Sequence, residues 1–183
     1  MAEAKKTADQ DQDESPEPGA PRKISIGKRQ VQVKNLNFSP EKNGEELVER
    51  ADLSVRILLE EADLDEILQS NTDPASSLLF DAEGNPALPE CMVLPIDLQA
   101  SGALVLGSIK ENVSLKFRSA RLKRCTVRLM FGPKAELACQ FRVDPSGALE
   151  ALAQLVIAKA ATLTFTGEAE LPDDDDGQGE LEV

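Results

Sequence analysis

Histidine, tryptophan and tyrosine are all missing from this chain of 183 residues. Without imidazole, no side chain titrates unaided near neutral pH, and the nitrogen ligand common in zinc sites is gone. Neither a Ser-His-Asp triad nor a Cys-His pair can be assembled. Cysteine is scarce and odd in number: Cys91, Cys125 and Cys139, with no pair at CxxC spacing. Disulfide frameworks belong to small secreted scaffolds, and a thiolate zinc site would need all three Cys plus an acid at a spacing zinc motifs do not use. The three therefore read as reduced, buried side chains. No apolar run approaches the roughly 18 to 20 residues of a membrane span. The opening stretch MAEAKKTADQDQDESPEPGAP lacks the apolar core of a secretory signal. Also absent are GxxxxGK followed by Ser or Thr, GxGxxG, HExxH and zinc-finger spacings. These absences lead to the expectation of a soluble, cytoplasmic non-enzyme with no metal, no cofactor and no membrane partner.

What is present is charge, unevenly placed. The formal net charge is −13. Residues 1–21 carry six acids against two lysines, and residues 168–183 carry eight acids and no base. The segment 22–167 is left near neutrality, yet it separates again. Residues 22–34 hold Arg22, Lys23, Lys28, Arg29 and Lys34 with no acid, residues 41–90 hold fourteen acids against three bases, and residues 110–142 hold nine bases against Glu111 and Glu136. Such blocks either pair across a fold or steer a charged partner.

Residues 1–21 and 168–183 have too few apolar groups to offset the entropy of ordering, so they are expected to be disordered acidic ends. Between them, 22–167 reads as a single β-rich domain. Ile24 and Ile26, then Val31 and Val33, alternate as two short strands around Gly27, a bulge or turn signal. Pro40 and Asn43-Gly44 mark a turn. Leu53, Val55, Ile57 and Leu59 share one face of the next strand, which the Asn-Gly turn pairs antiparallel with the first. EEADLDEILQS is a short helix capped by Asp63, with Leu64, Ile67 and Leu68 on one side. Strand candidates follow at 90–97 and 102–107. The pattern then sharpens into a meander: Val113, Leu115 and Phe117; Cys125, Val127, Leu129 and Phe131; Leu137, Cys139, Phe141 and Val143, each alternating with polar or basic residues. ALEALAQLVIAKA is a second helix with Leu149, Leu152, Leu155 and Val156 along one side, and Leu163 and Phe165 point inward from a last strand. The expected class is α+β and β-rich, an antiparallel sheet or partly closed barrel with two helices.

Three constellations could carry function. Lys116, Arg118, Arg121, Lys123, Arg124 and Arg128 could contact phosphates, which supplies much of nucleic-acid affinity without sequence readout. Stacking platforms are lacking, since Phe117, Phe131 and Phe141 fall on the apolar face and read as core. The acidic tail, with Asp173, Asp174, Asp175 and Asp176, could bind a partner or simply keep the chain soluble. Glu45, Glu46, Glu49, Asp52, Glu60, Glu61, Asp63, Asp65 and Glu66 form an acidic set without any calcium-loop pattern, so they read as an exposed acidic face.

Two stretches, SPEKNGEELVERADLSVRILLEEADLDEIL and AELACQFRVDPSGALEALAQLVIAKAATLTF, are similar in order and spacing to a group of small, mostly uncharacterised bacteriophage and prophage proteins. There a strand, an E-K-x-G-E loop and a second strand lead into a short D-x-L helix, and a strand, helix and strand close the domain. Here the loop reads Glu41-Lys42-Asn43-Gly44-Glu45, and the resemblance spans most of 24–166. It implies a role near phage DNA replication or recombination and transfers no site residue. The tail resembles those of bacterial and phage single-strand-binding proteins in charge and position but lacks their terminal Phe. The expectation is a non-catalytic phage or prophage accessory protein that binds nucleic acid, single-stranded DNA foremost, or a DNA-processing protein. The alternative is a protein-interaction or structural module, such as an inhibitor that presents its acidic face to a host enzyme. Association with further copies of the chain fits either reading.

Overall fold

In a computed structural model the described residues are 23–43, 46–68, 75–89, 92–109 and 114–169. Residues 1–22, Gly44, Glu45, Cys91, Val113 and Asp173 to Asp176 all lie outside them. Ten elements follow one another: β1 (Lys23–Asn43), β2 (Glu46–Glu60), α1 (Glu61–Leu68), α2 (Ala75–Leu79), β3 (Val93–Ile96), β4 (Ala100–Gly107), β5 (Ser114–Met130), β6 (Lys134–Val143), α3 (Leu149–Ala158) and β7 (Ala161–Ala169). Every strand pairing is antiparallel, in the order β3-β5-β4-β7-β1-β2-β6, and β5 also pairs with β6. The pairings therefore run in a ring. The β-rich α+β class and the antiparallel sheet hold, with three helices where two were expected; the extra one, α2, has five residues. Among the described residues no helix is long and apolar enough to cross a membrane.

The inside of the ring is the core. From β2 come Leu53, Val55, Ile57 and Leu59, from β6 Leu137, Cys139, Phe141 and Val143, and from β7 Leu163 and Phe165, all buried. The rings of Phe141 and Phe165 meet at 5.2 Å and a 55° tilt, a geometry that suits the aromatic quadrupole. Where β4 meets β7, Gly102 lies opposite Gly167. A methyl group at 102 would sit 2.2 Å from the Thr166 carbonyl oxygen, so the two backbones approach too closely for any side chain there.

Bulges explain where the observed strands depart from simple alternation. β1 is one strand rather than two: Gly27 and Lys28 together oppose Thr164, and Lys34 is inserted between Val33 and Asn35, which pair with Val55 and Ser54. On the other side of β1, the Val33 N–H donates to the Lys159 carbonyl at 3.2 Å, continuing the β1–β7 register beyond the Val31–Ala161 pair. Lys159 is the left-handed C-cap of α3, with φ 56°. β5 is likewise one continuous strand. Its apolar positions Phe117, Ala120, Leu122 and Cys125 are all buried, and their three-two-three spacing requires two bulges. Arg118 and Ser119 oppose Ala103, and Arg124 and Cys125 oppose Cys139.

Several side chains differ from expectation. Phe131 is not in the core but 69% exposed, because β5 ends at Met130 and the Gly132 turn, with φ 72°, begins one residue later. Leu149 is exposed at the start of α3, whose buried side chains are Leu152 and Leu155. Asp63 sits inside α1 rather than before it, and from there its carboxylate accepts the Glu60 N–H at 3.1 Å and pairs with Arg29. Residues 168 and 169 continue β7, with Glu168 opposite Lys23, so the strand runs two residues past the expected start of the tail.

Candidate nucleic-acid interface

The two bulges of β5 decide which way its cations face. An unbroken strand with this sequence would turn Arg121 and Lys123 to the opposite face from the other four. Each bulge instead lets two consecutive polar residues point out while the apolar residues on both sides stay in. As a result Lys116, Arg118, Arg121 and Arg124 are exposed, and Lys123 and Arg128 are half-buried. All six lie on the outer face of one strand. Arg124 has φ 50°, the left-handed region that an arginine adopts only at a cost.

The outer face continues across β6, β2 and β1. One rung reads Lys123, Gln140, Ser54 and Asn35; the next reads Arg121, Arg142, Asp52 and Asn37. On the second rung the charges are paired. Arg142 donates to both oxygens of Asp52 at 2.8 Å and also reaches Glu41 at 3.3 Å. Arg50 bridges Glu41 at 3.1 Å and Asp144 at 3.0 Å. The hydrogen bonds from Arg142 outweigh the effect of burial and hold the Asp52 carboxyl below the usual range, while Asp52 pushes Arg142 further up. At the far end Arg56 and Arg128 share the single carboxylate of Glu136, at 3.3 and 3.2 Å.

Between these paired zones, and along β5 beyond the Arg142 rung, cations stand without a carboxylate at ion-pair distance among the described residues. Among the described residues no ion pair involves Lys34, Lys116, Arg118, Lys123 or Arg124. Burial, followed by the charges of Arg142 and Arg121, holds the Lys123 ammonium below its ordinary value against the opposing pull of Glu41 and Asp52, the response expected of a partly desolvated cation. Among the described residues, shallow depressions follow β5, three of them lined by its cations. One of about 310 Å³ is lined by Lys34, Arg56, Arg124 and Gln140. One of about 450 Å³ holds Arg50, Arg121 and Arg142 with Glu41 and Asp144. The third, about 340 Å³, takes in Lys116 and Arg118 and shares Ser119 and Asp144 with the second.

Among the described residues the acidic set does not form one open face, and Glu45 and the Glu46 side chain lie outside them. Asp52 is bound to Arg142 and Asp63 to Arg29. Asp65 accepts the backbone N–H and hydroxyl of Ser76 at 2.7 and 3.0 Å, tying α1 to α2. Glu49, Glu60, Glu61 and Glu66 face solvent. Among the described residues no group of acids and thiols is placed to hold a metal. Cys125 and Cys139 are free and buried; a hydrogen bond with Cys125 and burial push the Cys139 thiol well up, which leaves it unreactive.

Sequence reasoning placed the β5 cations but not Lys34, Arg50, Arg56 or Arg142, which the sheet brings beside them. The register Arg56–Ala138–Thr126 depends on pairings no single strand encodes. No protein-family model, curated protein or solved structure matches the chain.

Proposed function

We propose that this chain is a non-catalytic nucleic-acid-binding protein that holds single-stranded DNA along the outer face of β5, as a phage or prophage accessory factor in replication or recombination. The observation that carries the reading is the row of outward cations from Lys116 to Arg124, of which Lys116, Arg118, Lys123 and Arg124 lack an ion pair among the described residues. Such a row neutralises phosphates and releases counterions without reading bases. Single-strand binders add an aromatic surface on which bases stack, and Phe131, 69% exposed one residue beyond β5, is the side chain this reading assigns to that task. The phage setting rests on the sequence resemblance. The acidic segment with Asp173 to Asp176 competes with DNA for the same cations in this reading.

Fluorescence anisotropy with labelled oligothymidine and with duplex DNA, across a salt series, tests it. Binding that weakens steeply with salt and favours the single strand is expected. Replacing Arg118 and Lys123 by Gln lowers affinity and reduces the slope of log K against log salt by about 0.7 per cation. Deleting residues 170–183, which spares β7, strengthens binding. Absence of binding at low salt to either DNA, with and without residues 170–183, overturns the proposal.

For the alternative, an inhibitor presenting an acidic face, Asp52, Asp63 and Asp65 are engaged internally, while Glu49, Glu60, Glu61 and Glu66 face solvent.

A further inference from the structure

We infer that Lys34, Arg56 and Arg124 form a site for a phosphodiester group, so that the nucleic acid crosses the sheet from β5 over β6 and β2 to β1 rather than only following β5. The inference rests on the nucleic-acid reading above and adds a direction and three contact residues to it. These cations come from three strands far apart in sequence and line one open groove of about 310 Å³. Its remaining polar lining is Ser54, Thr126 and Gln140, and no carboxylate lines it. The groove is therefore a concentration of positive charge over neutral hydrogen-bonding groups, the chemistry that accepts a phosphate oxygen.

Two of the three cations are placed there by irregular backbone. Lys34 is the extra residue of the β1 bulge, inserted between Val33 and Asn35 opposite β2. Arg124 is on the β5 bulge with φ 50°. A glycine or asparagine would satisfy that conformation more cheaply. An arginine in a strained position that exposes its charge, beside a lysine on a second bulge, points to a use for the two side chains at this groove. Arg56 shares Glu136 with Arg128, so one carboxylate serves two guanidinium groups and Arg56 retains binding capacity.

The decisive variants are Arg124→Gly and Lys34→Gln, separately and together. Glycine relieves the backbone at 124, so R124G leaves Tm unchanged or raised while oligothymidine binding weakens. K34Q leaves Tm unchanged and also weakens binding. The double variant lowers affinity by about tenfold at low salt and the salt slope by about 1.4. If instead K116Q/R118Q weakens oligothymidine binding while K34Q/R124G does not, the crossing path is wrong and the broader reading along β5 survives. If R124G lowers Tm sharply and K34Q has no effect on binding, Arg124 is a structural residue and the site is refuted. If the native protein binds no oligonucleotide, the function proposed above falls and NMR titration with inorganic pyrophosphate decides the groove. Amide shifts at Lys34, Arg56 and Arg124 that vanish in the double variant uphold an anion site for free phosphates; no shifts there overturn it.

Discussion

Replacing Asp52 by alanine probes the charge network that separates the paired rung from the open groove. The Asp52 side chain is 11% exposed and accepts two hydrogen bonds of 2.8 Å from Arg142, itself 24% exposed. Breaking a fully buried pair by removing one partner costs about 3–5 kcal/mol, and an exposed pair contributes about 0–1 kcal/mol. Arg142 keeps Glu41 at 3.3 Å and some water, so D52A should lie between these limits, at about 2–3 kcal/mol. Because a loss of 1 kcal/mol lowers the melting temperature of a domain this size by about 2–4 °C, the expected fall is roughly 4–12 °C. The pH dependence has a definite sign. The carboxyl of Asp52 is held below its ordinary value when folded, so its contribution is fully present above the unfolded carboxylate pKa of about 3.9 and is lost as pH falls through the folded value. Urea unfolding at pH 7 and at pH 3 should therefore give a large wild-type-minus-variant difference in the first and a smaller one in the second. A cost under about 0.5 kcal/mol at pH 7, where exposed pairs fall, or a difference that does not shrink in acid, would refute the reasoning. The same substitution frees a guanidinium on the outer face, so DNA affinity at low salt should rise as stability falls.

Other outcomes follow from the packing. Gly102→Ala places a methyl group 2.2 Å from the Thr166 carbonyl oxygen and 2.4 Å from the Gly167 Cα, so thermal melting should show a loss of about 3 kcal/mol or more; Gly27→Ala, with nothing within 4 Å, should melt close to wild type. Asp63→Ala removes the acceptor of the Glu60 N–H and the partner of Arg29, and a cap of this kind contributes about 1 kcal/mol, measurable as a lower urea midpoint. Cys125 and Cys139, both buried, should resist a thiol-specific reagent in the native state and react on unfolding, as mass spectrometry of the labelled peptides would show.

Strands β2 and β6 were legible because their buried residues alternate without interruption, as in Leu53, Val55, Ile57 and Leu59. β1 and β5 were harder. Their bulges shift the phase of alternation, and a reader who expects period two breaks each into shorter pieces. The signal was nevertheless present in β5, where Phe117, Ala120, Leu122 and Cys125 can all point inward only if the strand carries an extra residue twice. Phe131 was misplaced because the alternation from Cys125 to Leu129 extends to it formally, while Gly132 ends the strand before it is reached. The candidate groove was beyond single-strand reasoning, since Lys34, Arg56 and Arg124 meet only through the register of four strands. The acidic set misled for a related reason: charge counted along a segment does not reveal which carboxylates are already committed to Arg29, Arg142 or Ser76.

Pairing of β1 with β7 joins Lys23 to Glu168, the first described residue to nearly the last. A nascent chain emerging from the ribosome cannot complete the cycle of hydrogen bonds until β7 has been synthesised. Until then β1 and β4 each wait with an unsatisfied flank. Contacts so remote along the polypeptide place folding at the slow end for small domains, in the millisecond-to-second range. During synthesis those two waiting flanks are the places where premature association with a neighbouring chain would start.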